Sequence, residues 1–144
     1  MAKGCGCALL ILLMTAGAIW FLSRGTGKSI AKRAEATRAE GQKHGAGLDE
    51  KGCLDEAIER YRKPENQNFT SSLHEGLALQ GCLETSRATP GFCDGVPSGT
   101  NPIEGGLWLA ARCKEAALSD LYCTGVFKAV MYFCASPEHQ HKNS

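Results

Sequence analysis

Apolar and polar residues follow three successive patterns along the chain. Residues 5 to 22 run GCALLILLMTAGAIWFL behind Cys5, without a single charge. From Arg24 to Gly47 charged residues alternate with alanine and glycine, and no wide apolar stripe forms. From Leu48 onward apolar residues recur at helical spacing, interrupted by clusters of Gly, Pro and Asn. Such periodicity predicts helices separated by turns, and no stretch alternates as an amphipathic strand does.

The first pattern predicts a transmembrane helix over residues 1–23. At about 1.5 Å per residue the uncharged run spans roughly 27 Å, close to the hydrocarbon thickness of a bilayer. Trp20 and Phe21 stand at its downstream edge, where amphipathic rings favour the headgroup layer, and Arg24 follows. A cleavable signal peptide is the competing reading, with Lys3 as its basic start and Ala16-Gly17-Ala18 as a cleavage site. The run continues past that site as Ile19-Trp20-Phe21-Leu22, so a retained signal-anchor is preferred. Cys5 and Cys7 are juxtamembrane thiols and candidate acylation sites. The plainer reading, two small residues at a helix start, is preferred. Gly6, Thr15, Ala16 and Gly17 are small enough to admit a neighbouring membrane helix.

Residues 24–47 read as a basic, glycine-containing linker whose Ala/Arg/Glu-rich middle, Lys28 to Glu40, can form a short exposed helix. Gly25-Thr26-Gly27-Lys28-Ser29 imitates the end of a phosphate-binding loop. The earlier glycine that such a loop requires is replaced by Leu22, and a nucleotide site is not expected.

Residues 48–135 predict four helices. In the first, Leu48 to Lys63, the residues Leu54, Ala57, Ile58 and Tyr61 share a face and Pro64 ends the pattern. The second starts at Ser72 with a Ser72/Glu75 capping box, runs to Thr85, and turns Leu73, Leu77 and Leu83 inward. A Gly/Pro loop over 89–101 follows, anchored by Phe92 and Cys93. The third has Asn101 as cap and Pro102 at its first position, with Ile103, Leu107, Ala110, Ala111 and Ala117 on its buried side. The fourth is capped by Ser119-Asp120 and buries Val126, Val130 and Phe133 before ending near Ala135. Residues 136–144 read as a polar tail. The fold class is therefore all-α: one N-terminal transmembrane helix plus a small disulfide-stapled domain of two helical hairpins.

Charge is divided unevenly. Residues 1–47 hold seven Lys/Arg against two Glu, a net of +5, and residues 48–144 hold nine against thirteen Asp/Glu, a net of −4. An acidic domain does not displace the counterions of nucleic acid, so no nucleic-acid partner is expected. The basic stretch suits anionic headgroups, making membrane lipid the expected contact there.

Six of the eight cysteines fall between Cys53 and Cys134. No Cys-x-x-Cys or Cys-x-x-Cys-His occurs, so zinc, iron–sulfur and haem sites are poorly served, and no metal or cofactor is expected. A domain this short benefits from staples, and an even cysteine count favours disulfides. Fifteen connectivities are open to six cysteines. The turn near residue 67 sets Cys53 opposite Cys82, and the turn near Ser119 sets Cys113 opposite Cys123. That leaves Cys93 for Cys134. Disulfides belong to an oxidising compartment. Flanking Lys and Arg would keep the domain in the cytoplasm, but long downstream domains translocate largely regardless of charge. The cysteines decide: N-terminus cytoplasmic, domain in the periplasm or another oxidising, non-cytoplasmic space.

The Cys113-x9-Cys123 step is similar to half of a twin CX9C hairpin of mitochondrial intermembrane-space proteins. Its counterpart from Cys82 to Cys93 is one residue longer and contains Pro90 and Gly91. In size, helicity and cysteine count the 53–134 unit resembles a saposin-type domain, without the closely spaced pairs that open and close saposins. That resemblance implies lipid or small-ligand binding.

No nucleophile, base and orienting group assemble in the sequence. His74 lies beside Glu75 on a polar face, and His139 and His141 lie in the tail. The expected function is non-catalytic: an anchored accessory subunit of a larger membrane complex, with other subunits as partners. The alternative is a tethered saposin-like ligand-binding domain.

Overall fold

The computed structural model describes the backbone of residues 5–98, 101–118, 122–137 and 139, and the side chains of these except 5–12, 16, 18–19 and 21–26. The described residues form helices and no strand: α1 Cys5–Gly45, α2 Glu50–Tyr61, a 3-10 turn Pro64–Asn66, α3 Phe69–Thr85, α4 Pro102–Glu115 and α5 Thr124–Ala135. Two compact units emerge, Met1–Glu35 and Ala36–Ser144.

In the first unit, Leu13, Met14, Trp20 and Ile30 are exposed. Among the described residues no helix is long and apolar enough to cross a membrane. Most side chains of the apolar run, those of Cys5, Cys7 and Phe21 included, lie outside the described residues, as does that of Arg24.

Residues 24–45, expected as part of a glycine-containing linker with a short helix in its middle, are helical throughout, as a continuation of α1. Alanine, lysine, arginine and glutamate between Lys28 and Glu40 are strong helix formers, and Gly41 and Gly45 have a packing role instead of a hinge role. A Cβ on Gly41 would stand 2.0 Å from the Ala78 carbonyl oxygen, and one on Gly45 2.2 Å from that of Cys82. In return Gly81 of α3 meets the Arg38 carbonyl, where a Cβ would stand at 2.1 Å. Backbone therefore touches backbone where the end of α1 crosses α3. Gln42 Nε2 donates to Glu84 Oε2 at 2.9 Å, Arg38 pairs with the same carboxylate, and Thr85 Oγ1 donates to the Gln42 carbonyl at 2.6 Å.

Helix α2 is capped by Asp49, whose carboxylate accepts from Gly52 N at 2.7 Å. Ala57 and Tyr61 are fully buried on its inner face, and Leu54 and Ile58 pack at the margin. Helix α3 begins one turn earlier than the sequence suggests. Asn68 is its cap, accepting from Ser71 N at 3.0 Å, and Ser72 lies inside the helix. Ser72 Oγ donates to the Tyr122 carbonyl at 2.6 Å, and Glu75 turns to Arg60, so no Ser72/Glu75 capping box forms.

Helix α3 packs on α2 and on α5, and α4 packs on α5. Leu79, Leu83 and Val126 fill the centre. Asn101 caps α4 as expected, accepting from Ile103 N and Glu104 N. The buried side of α4 also differs from the expected one. Gly105, Leu109 and Cys113 face inward, while Ile103 and Leu107 are 74% and 69% exposed. Gly105 lets α4 close on Met131, whose Cε would meet an added Cβ at 3.0 Å. Trp108 stacks edge-on to Phe127 at 6.3 Å, and the Arg112 guanidinium covers its ring.

Ala117 lies beyond the helix end. It takes φ 55°, with Leu118 N donating to the Cys113 carbonyl at 2.9 Å and Ala117 N to that of Lys114. This double bond pattern is a Schellman ending. Helix α5 starts at Thr124, and the expected Ser119-Asp120 cap lies outside the described residues.

The cysteine pairs at disulfide distance are Cys53–Cys82, Cys93–Cys134 and Cys113–Cys123, with Cα separations of 5.8, 5.6 and 6.0 Å. They join α2 to α3, the 89–98 loop to the end of α5, and the end of α4 to the start of α5. Disulfides of this kind belong to an oxidising, non-cytoplasmic compartment.

Candidate interaction surface

The most distinctive surface of the second unit lies where α3 crosses α5. Small residues bring the two helices together. A Cβ on Gly76 would stand 2.9 Å from the Gly125 carbonyl oxygen, and one on Gly125 would collide with Ser72 Oγ at 2.0 Å. Because the floor is made of Gly76, Gly125 and Ala129, larger side chains stand up on both sides and leave a groove of about 260 Å³. The α3 wall carries Phe69, Leu73 and Leu77, and the α5 wall carries Lys128 and Tyr132. Phe69, Leu73 and Tyr132 are 65%, 54% and 63% exposed. The Phe69 ring also meets Tyr122 edge-on, with ring centres 6.0 Å apart.

A second recess of about 460 Å³ adjoins the first, sharing Lys128 and Tyr132 and continuing over Gly105, Leu109 and Met131 towards the start of α4. Among the described residues neither recess is lined by a carboxylate, and Lys128 is the one charged side chain on both. Leu73 and Leu77, read from sequence as core, are thus an exposed and a half-buried wall of this groove. Leu79 takes the buried place instead.

The polar side of the domain is internally paired. Arg60 Nε donates to Glu75 Oε2 at 2.9 Å, and Arg60 also reaches Glu56, which His44 contacts from the end of α1. His74 Nδ1 lies 3.9 Å from Glu75 Oε1. Each of these carboxylates already faces an arginine or histidine, an arrangement suited to tying α1, α2 and α3 together. No group of three or more metal-ligating side chains occurs among the described residues. On the exposed face of α2 the Asp55 carboxylate, through a hydrogen bond and its charge, holds the Lys51 ammonium above its ordinary range.

Glu50 and His139 form a contact that sequence reasoning missed. Glu50, at the first turn of α2, is fully buried. Its Oε2 accepts from Thr89 N at 2.8 Å, and its Oε1 lies 3.6 Å from His139 Nδ1. The backbone joins the same point, Glu50 N donating to the Arg87 carbonyl at 3.0 Å and Arg87 N to that of Leu48 at 2.9 Å. His139 is buried against the Phe133 ring, at 4.9 Å, so this part of the expected polar tail belongs to the packed domain. His141 lies outside the described residues. Trp20, expected at the membrane interface, is 57% exposed on α1. The sequence matches no protein-family model, no curated protein and no solved structure.

Proposed function

We infer that this chain is a non-catalytic, membrane-anchored interaction protein, an accessory subunit of a larger membrane complex. Its stapled helical domain stands on the non-cytoplasmic side, with the N-terminus in the cytoplasm. The observation that carries this reading is the α3/α5 groove. Contiguous exposed apolar side chains on a small domain mark a site that another molecule covers. The uncharged run from Cys5 to Leu22 supports anchorage, and the six paired cysteines support the non-cytoplasmic side.

A saposin-like lipid carrier would enclose its ligand between helices. Here the inter-helical space is occupied by Tyr61, Leu79, Leu83 and Val126, and the recesses open at the surface, which favours the subunit reading. Purification of the full chain from membranes in mild detergent tests it. A stoichiometric second polypeptide is the expected result, and a chain that runs alone overturns the reading.

A further inference from the structure

We propose that the α3/α5 groove receives an amphipathic helix of the partner subunit, about three turns long, which places a carboxylate against Lys128. The proposal rests on the accessory-subunit reading and specifies where and how the partner is held.

The shape of the groove argues for a helix. Phe69, Leu73 and Leu77 lie at intervals of four along α3, with Gln80 extending that wall and Gly76 in the floor beside it. The stretch from Phe69 to Gln80 covers roughly 16 Å at 1.5 Å per residue, the length of three helical turns. Gly125, Lys128, Ala129 and Tyr132 follow the i, i+3, i+4, i+7 spacing on α5. Two helices touching through glycine, with taller side chains on either flank, leave a valley into which a third helix packs its ridge. Helix-in-groove recognition by apolar anchors at this spacing is a recurrent mode of association.

Charge fixes the partner's chemistry. Lys128 is exposed, and no carboxylate of the described residues lies within ion-pair distance of it. It lines both recesses, and their other described lining residues are uncharged. A helix that is apolar throughout would cover the ammonium and remove it from water without compensation. A helix with one Asp or Glu among its apolar anchors makes a charge-assisted hydrogen bond there, and that pair sets its register.

The test uses the full chain with its co-purifying partner in mild detergent and a zero-length carbodiimide, which joins an amine directly to a carboxylate. Mass spectrometry should find Lys128 joined to an Asp or Glu of the partner, in a segment with apolar residues three and four positions away. Lys128→Glu should lower partner retention at least tenfold, and exchanging the cross-linked carboxylate for lysine should restore it. Leu73→Ser should also lower retention, whereas Leu107→Ser, on the exposed outer side of α4, should not. Unchanged disulfides and helical circular dichroism show that each variant folds. If the partner is retained by both Lys128→Glu and Leu73→Ser, or if Lys128 joins only a second copy of this chain, the proposal fails while the subunit reading stands. Lipid retained in the groove with no protein cross-link also overturns it. If the unmodified chain has no partner, both fail together.

Discussion

Gly41 of α1 lies against the carbonyl of Ala78 in α3, so that a Cβ at Gly41 would stand 2.0 Å from the Ala78 oxygen. The obstruction is backbone, which cannot rotate aside as a side chain can. Gly41→Val is therefore expected to destabilise the 36–144 unit by about 2–3 kcal/mol, in the range of overpacked cores. Urea unfolding of the full chain in detergent, followed by circular dichroism, measures this. Gly27→Ala, where nothing lies within 4 Å, is the control and should leave the midpoint unchanged or slightly raised.

The Gly41 and Gly45 contacts also show where the sequence was silent. Glycines in a charged stretch look like a hinge, because close approach to a second helix leaves no trace in local periodicity. Asn101-Pro102 was legible because capping is local: the side chain satisfies amides two and three residues away. The cysteine pairs were legible because antiparallel hairpins equate distances from a turn. The inward face of α4 was not, since Ile103/Leu107 and Gly105/Leu109 both recur at helical spacing. A glycine buried by Met131 decides between them only in three dimensions. The groove was hidden for the same reason. Leu73 and Leu77 carry a core pattern on α3, but the small residues of α5 bring no side chain out to cover them.

Glu50 connects three parts of the chain, and removing its carboxylate leaves Thr89 N without its acceptor. Glu50→Ala is expected to cost about 2–3 kcal/mol, the range for stranding a buried donor and losing a buried contact. Amide hydrogen exchange should show faster exchange at Thr89 and at residues near His139. Protection retained at both places would contradict the role assigned to Glu50.

Ala117 holds φ 55° at the end of α4, a conformation that glycine adopts without steric strain. Ala117→Gly should stabilise the domain by about 1 kcal/mol, because the position is already left-handed in the folded state. A rise in thermal midpoint of the full chain is the expected readout, and a fall would contradict the Schellman ending.

The three staples close loops of different length, with sequence separations of 41, 29 and 10 residues. On the loop-entropy account, removing Cys93–Cys134 by double alanine substitution should cost the most, about 4 kcal/mol, and removing Cys113–Cys123 the least, about 3 kcal/mol. Denaturation of each double variant gives the order. The reverse order would mean that native contacts around Cys113 and Cys123 outweigh loop closure.

Native mass spectrometry of the detergent-solubilised chain, before and after reduction, reads at once whether a partner is bound and whether the cysteines are paired. A stoichiometric complex with a second polypeptide is expected, and a released chain that gains the mass of six hydrogens when its three disulfides are reduced. A chain that leaves the micelle alone, without a partner polypeptide, would contradict the accessory-subunit reading.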